Sequence, residues 1–266
     1  MPRVGRSQAE QAQVDAAGPE FLEALARGLR VIAAFNRERK QLTLSDLARL
    51  VDLPRASVRR ILATLVELGY AETDDRRFRL TPRILNLAGA YLGSNGMSAA
   101  LQPAIEQLCT EVDEACSAAV LDGDDVVMIA HAAPRRLVNV SAQIGFRLPA
   151  VASSLGRVLL AGLDDAALDA RLARIQPARL TPTTVVGKRD LRRSILKARA
   201  DGFSLVDQEA EIGFRSISVP LRRLDGRVVA ALNVGVRSER CALATMRGVF
   251  LPKLRALADG LQQQLV

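Results

Sequence analysis

Apolar residues recur at spacings of three and four from Glu20 onward. Phe21, Leu22, Leu25, Leu29, Ile32 and Phe35 share one side of a helix that should end near Asn36, before a basic turn from Arg37 to Lys40. Thr43 and Asp46 have the spacing of a capping box, which starts a short helix with Leu44, Leu47, Ala48 and Val51 as its buried stripe. Asp52-Leu53-Pro54 breaks that helix. Proline suits a first helical turn, so a second helix begins at Pro54, with Val58, Ile61, Leu62, Leu65 and Leu68 inward and Gly69 as a left-handed cap. Two short alternating runs, Tyr70 to Thr73 and Phe78 to Leu80, flank the polar turn Asp74 to Arg77 and predict a hairpin. This order makes a winged helix-turn-helix, although amphipathic helix pairs with solvated basic faces also occur in plain bundles.

Thr81-Pro82 closes the wing, and Ile84, Leu85, Leu87, Ala88 and Leu92 suggest a connecting helix ending in a Gly93 to Gly96 loop. Beyond it the pattern is mixed. Helices are expected over Ala99 to Asp113, Ser154 to Leu163, Asp165 to Ile175, Leu191 to Asp201 and Ala242 to Gln264. Strands are expected over Ser117 to Leu121, Asp125 to His131, Leu137 to Gln143, Ser204 to Gln208, Ile217 to Leu221 and Val228 to Val234, with hairpin signals at Asp122-Gly123-Asp124 and Asp225-Gly226. Hairpin-linked strands beside clustered helices make an α+β fold with an antiparallel sheet. The expected organisation is a flexible tail over 1–19, a winged helix over 20–81, a linker over 82–96 and a second domain over 97–266.

Length and charge narrow this picture. The 266 residues suffice for two modest domains, and 49% apolar content can bury a core. The net charge is +8, and residues 1–92 hold 15 Lys+Arg against 11 Asp+Glu, so the shorter N-terminal part is the denser in positive charge. Arg55, Ser57, Arg59 and Arg60 open the second helix, largely off its apolar face, while Arg76, Arg77 and Arg79 mark the wing. No apolar run reaches 18 residues and the start has no apolar run after its arginines, so neither a membrane span nor a secretory signal is expected. The three cysteines, Cys109, Cys116 and Cys241, read as reduced thiols in the cytoplasm.

Candidate chemistry is sparse. No phosphate loop, dinucleotide loop or nucleophile elbow is present. The single histidine, His131, lies in an apolar run and reads as a packed or hydrogen-bonded strand residue, and Cys109-x6-Cys116 does not match zinc-ligand spacing. No catalytic residue, cofactor or metal is expected. Two segments look site-like. Ala152, Ser153 and Ser154 precede an apolar helix whose N-terminal amides suit an anion, or are simply an ordinary serine cap. In Val206 to Ser218, Asp207, Glu209 and Arg215 are crowded between apolar strands and need partners or a ligand.

The segments TLSDLARLVDLPRASVRRILATLVELGY, LPAVASSLGRVLLA and GFSLVDQEAEIGFRSISVPLRRLDGRVVAALNV resemble, in order and spacing, the IclR family of bacterial transcriptional regulators over about Leu22 to Leu265. The wording LVDQEAEIGFRSI looks most like the branch controlling protocatechuate, 4-hydroxybenzoate and β-ketoadipate catabolism. The resemblance implies a winged-helix DNA-binding domain, a linker helix and a PAS- or GAF-like effector domain. It also implies homodimers, often paired into homotetramers, on double-stranded operator DNA; contact with RNA polymerase is left open.

DNA contacts are then expected from Thr43, Arg55, Ser57, Arg59, Arg60, Arg76, Arg77 and Arg79. The implied effector pocket involves Ser153, Ser154, Leu155, Asp207, Phe214, Ser216 and Asn233, joined by Glu209 and Arg215 from the charge argument. Some relatives carry Gly-Ala where this chain has Ser154-Leu155, which implies a pocket of another size. The effector is expected to be a small carboxylate, aromatic or keto-dicarboxylic. The alternatives are an aliphatic-acid regulator (glyoxylate or acetate), an enzyme with a nucleic-acid docking domain, and a DNA-coating protein. Activator and repressor remain equally open.

Overall fold

The computed structural model describes residues 18–36, 38–94, 96–134 and 143–263. Most of the expected tail, Arg37, Asn95 and nearly all of the strand expected over Leu137 to Gln143 lie outside the described residues; Gln143 itself is not in a strand. The chain divides into two compact units, with the boundary between Tyr91 and Leu92.

The first unit holds α1 (Glu23–Ala33), β1 (Leu42–Thr43), α2 (Leu44–Leu50), α3 (Arg55–Glu67), β2 (Ala71–Thr73) and β3 (Arg77–Leu80). Residues 51–54 make the turn between α2 and α3, with Asp52 left-handed at φ 50°. The core gathers Val31, Leu47, Val58, Leu62 and Leu65. Gly69 follows α3 at φ 74°, a conformation glycine adopts without strain. The sheet has the order β1-β3-β2. Strand β1 is too short to show a periodicity, so the sequence pattern does not reveal it. Arg77 belongs to β3 rather than to the turn. Leu22, Leu25 and Leu29 are 71%, 59% and 54% exposed, so most of the apolar stripe of α1 is not absorbed by its own unit.

A 3-10 turn (Pro82–Ile84) leads into α4 (Leu85–Ser94), and α5 (Gly96–Val112) starts two residues after it ends. The four-residue loop expected at Gly93 to Gly96 is therefore corrected: Gly93 and Ser94 are helical and Gly96 opens the next helix. Glycine composition misled here because helix propensity is a weak prior.

The second unit is built on six antiparallel strands in the order β6-β5-β4-β9-β8-β7. They are β4 (Ala115–Asp122), β5 (Asp125–Ala132), β6 (Arg147–Pro149), β7 (Ser204–Asp207), β8 (Phe214–Arg222) and β9 (Val228–Arg237). Helix α5 and the terminal helix α9 (Leu251–Gln262) cover one face, around Cys116, Ile217, Val219, Leu232 and Val234. Helices α6 (Ser154–Ala161), α7 (Asp165–Arg174) and α8 (Lys188–Asp201) cover the other, around Ala119, Val126, Leu155, Leu191 and Ala231.

Three further expectations are corrected. Strand β8 starts at Phe214, not Ile217, so the polar segment before Ile217 is itself sheet. Strand β6 was not foreseen. The terminal helix is helical without a gap from Leu243 to Gln262, as expected, but not α throughout: a π-helical turn at Met246–Phe250 follows Leu243–Thr245 and precedes α9, just ahead of Pro252, which has no amide to continue the helical ladder.

Candidate functional site

Register builds the site. Ser117 on β4 lies opposite His131 on β5 and Asn233 on β9, and Asn233 lies opposite Ser218 on β8. Directly paired residues share a face, so these four side chains form one polar row across the central strands. The next level holds Ala115, Gly235, Ser216 and Val206. All of these but Ser218 floor a cavity of about 50 Å³, roofed by Ser153, Ser154 and Leu155 from the start of α6, with Phe214, Leu148 and Ala210. A Cβ on Gly235 would stand 2.7 Å from Phe214 Cζ, so the glycine is what admits the ring beside β9.

Local chemistry fixes the roof. Ser153 caps α6, its Oγ accepting from Gly156 N at 3.0 Å. The amides of Ser154 and Leu155 have no acceptor within the helix, whose first bond runs from Arg157 N to the Ser153 carbonyl, and form its positive end. Ser154 Oγ lies 2.7 Å from both Ser216 Oγ and Ser218 Oγ, in a fully buried serine cluster. Ser117 Oγ and His131 Nδ1 are 2.9 Å apart. Burial lowers the His131 pKa below its usual 6.5, partly offset by a hydrogen bond to the Cys116 carbonyl, so the ring is neutral at physiological pH.

Of the residues expected at an effector site, Ser153, Ser154, Leu155, Phe214, Ser216 and Asn233 are brought together around this cavity. Three are not. Arg215 follows Phe214 on β8 and so faces the opposite side of the sheet, where it bonds Asp207 at 2.9 Å and the Cys241 carbonyl at 2.8 Å. Asp207 is its partner, not a lining residue. Glu209 is buried and paired with Arg157 at 2.6 Å. The carboxylate contact expected from Arg215 is therefore corrected: the period of a strand turns it away. The Ser153 and Ser154 hydroxyls are likewise committed to protein partners. Sequence reasoning missed Arg157, Ser117, Ser218 and Gly235, and assigned His131 no site role. Only strand register joins most of these residues, and a sequence does not print register.

The first unit carries the second candidate surface. Arg55, Arg59 and Arg60 are exposed on α3 and Ser57 is half-buried. They do not share one face. At 3.6 residues per turn Arg55 and Arg59 lie on one flank, while Ser57 and Arg60 border a groove of about 420 Å³ shared with Leu25, Leu29 and Ile32 of α1. On the wing, the Arg76 and Arg77 amides donate to Asp74 Oδ1 at 3.2 and 2.8 Å, and both side chains are exposed. Arg79 sits back from the tip and pairs with Glu72 at 2.7 Å. The Thr43 hydroxyl is engaged in the capping box, accepting from Asp46 N at 3.2 Å and donating to Asp46 Oδ2 at 2.7 Å.

The IclR helix-turn-helix domain matches residues 24–75 and the C-terminal domain of bacterial IclR transcriptional regulators matches 89–263. The chain is 40% identical over 265 residues to the Pca regulon regulatory protein of Pseudomonas putida, covering 99% of this chain and 91% of that one. It is 32% identical to the p-hydroxybenzoate hydroxylase transcriptional activator of Acinetobacter baylyi, covering 91% and 92%. The structure of an IclR homolog from Microbacterium hydrocarbonoxydans complexed with 4-hydroxybenzoate superposes with a TM-score of 0.76 at 30% identity, covering 91% of this chain and 98% of that one. With a helix-turn-helix at one end and a cavity-bearing sheet domain at the other, the chain belongs to the IclR family of bacterial transcriptional regulators.

Proposed function

We propose that this protein controls genes of aromatic-acid catabolism by binding a small carboxylate between α6 and the sheet and altering its hold on operator DNA. The observation that carries the reading is the cavity: it is lined by the first residues of α6, whose amides lack acceptors within the helix, together with neutral polar and small side chains. A carboxylate leaving water needs such donors, and charged hydrogen bonds are worth about 1.5–3 kcal/mol each. The similarity to regulators of the Pca regulon and of p-hydroxybenzoate hydroxylase supports an aromatic acid over a short aliphatic one. A cavity of about 150 Å³ holds benzene. The space of about 50 Å³ here must therefore widen, which ties occupancy to movement of the roof.

The remaining parts follow from this reading. Arg55 and Arg59 enter the major groove of double-stranded DNA, and Arg76 and Arg77 track phosphate. The exposed Leu22, Leu25, Leu29 and Leu68 pair two copies as a homodimer, giving the operator two-fold symmetry. The protein acts in the cytoplasm as a binding protein, not as an enzyme; no described helix is long and apolar enough to cross a membrane.

Calorimetry of the full chain with 4-hydroxybenzoate, protocatechuate, β-ketoadipate and glyoxylate tests the proposal. Binding of an aromatic acid or β-ketoadipate is expected. Binding of glyoxylate alone, or of none, would overturn it.

A further inference from the structure

The excess positive charge of the second unit is gathered in one place. Residues 164–201, which hold α7 and α8, contain nine Lys+Arg against five Asp+Glu, while the rest of residues 92–266 contains 13 of each. The excess lies on α8. Its buried side is Leu191, Ile195 and Ala198, and at 3.6 residues per turn the opposite side carries Arg189, Arg193 and Lys197, all exposed. Their four-residue spacing sets the three cations about 6 Å apart along the helix axis.

The fold does not ask for them. Arg192 and Arg199 are the cations that tie α8 to α7, through Asp169 at 2.7 Å and Asp165 at 2.6 Å. Arg193 and Lys197 meet Asp190 and Asp201 of their own helix at 3.1 and 2.8 Å, in surface pairs that contribute little. Arg189 forms no ion pair with a described residue. It stands with Lys188 in the first turn, where the positive end of a helix disfavours cations. The face has no large apolar anchor either, since none of the exposed large hydrophobic residues lies on α8. Protein partners are held through such anchors. A line of cations on flexible stems suits a polyanion held by charge alone, and duplex DNA is the polyanion that a helix-turn-helix unit binds. Once the operator is held, the duplex beside it stands at high effective concentration, so a few phosphate contacts add affinity without a pocket of their own. We propose that Arg189, Arg193 and Lys197 contact phosphates of the duplex flanking the operator, without regard to its sequence. The inference rests on operator binding by the first unit and is independent of the acid.

Fluorescence anisotropy of the full chain over a range of salt tests it. The probes are the shortest promoter duplex beside this gene that keeps sequence-specific binding, and that duplex extended by about one and two helical turns of unrelated sequence at each end. The variants are Arg189→Gln/Arg193→Gln/Lys197→Gln and, as a control, Arg222→Gln/Arg223→Gln/Arg227→Gln, which removes the same charge from the exposed hairpin between β8 and β9. On the extended duplexes the α8 variant should bind about tenfold or more weakly than wild type, with the slope of log affinity against log salt lower by about 2–3. On the shortest duplex it should match wild type within about twofold, and the hairpin variant should track wild type on every duplex. Arg189→Gln alone, expected to lower the slope on extended duplexes by about 1, carries the test should the triple variant fail to fold. Folded α8 variants that match wild type at every length overturn the inference. So does an equal loss on the shortest duplex, or an equal loss in the hairpin variant, since either assigns the effect to net charge. A wild type that binds no promoter duplex would count against operator binding itself, and the inference falls with it.

Discussion

Arg157 on α6 and Glu209, in the connection from β7 to β8, meet in a two-point ion pair, with Nη1 to Oε1 at 2.8 Å and Nη2 to Oε2 at 2.6 Å. Both side chains are buried. The pair is itself held: Arg157 Nε donates to the Val151 carbonyl at 3.0 Å, and Val185 N donates to Glu209 Oε2 at 2.9 Å. Thr183 and Thr184 donate to the carbonyls of Gln208 and Glu209, each at 2.7 Å. The contact joins the two segments that roof the cavity, one carrying Ser154 and Leu155 and the other Ala210 and Phe214. Removing one partner leaves a buried charge alone. Arg157→Ala or Glu209→Ala should therefore cost about 3–5 kcal/mol in denaturant unfolding, and replacing both by leucine should cost less than either. Single variants as stable as the wild type would contradict this.

Gly156 lies within α6, where helix propensity alone would make Gly156→Ala stabilising by about 1 kcal/mol. The structure predicts the reverse. A Cβ at this position would fall 2.1 Å from the Ala150 carbonyl oxygen and 2.4 Å from its carbonyl carbon, and backbone does not yield as a side chain does. The alanine variant should melt lower than wild type, with a loss of at least about 1–3 kcal/mol.

The capping box at α2 predicts an acid response in the DNA-binding unit. Hydrogen bonds from the Thr43 side chain and then its amide hold the Asp46 carboxyl below its ordinary 3.8, despite some desolvation. A depressed pKa in the folded state means that the contribution is complete above 3.8 and is lost as pH falls through the lower folded value. The stability gap between wild type and Asp46→Asn should hold at neutral pH and close at pH values below 3.8, in melts followed by circular dichroism. Thr43→Ala should cost about 1 kcal/mol at neutral pH.

The winged helix was legible because its signals are local. Thr43 and Asp46, the break at Pro54 and Gly69 each act within a few residues of the chain. The cavity was legible in part, since Ser153, Ser154, Phe214 and Ser216 stand in two readable segments. The polar row was not. Ser117, His131, Asn233 and Ser218 are dispersed over four strands and meet only through register. Arg215 shows the converse: it is next to Phe214 in sequence, and a strand beginning three residues earlier than expected puts it on the other side of the sheet.

The arginines of the first unit should separate by role. Arg59→Ala should cost about 1–3 kcal/mol on operator DNA if its side chain meets a base edge, with little effect on unrelated duplexes. Arg77→Ala should weaken operator and unrelated DNA alike and lower the slope of log affinity against log salt by about 1. Arg79 is engaged with Glu72, so Arg79→Ala should change that slope least.

The central claim is that an acid bound in the second unit alters DNA binding by the first. Fluorescence anisotropy of a labelled duplex from the promoter region beside this gene, titrated with the full chain at fixed salt, tests it directly. The predicted result is a change in DNA affinity of about 5–150-fold on adding the aromatic acid that calorimetry shows to bind. Superimposable curves with and without that acid, from protein that binds both the duplex and the acid, would contradict the account.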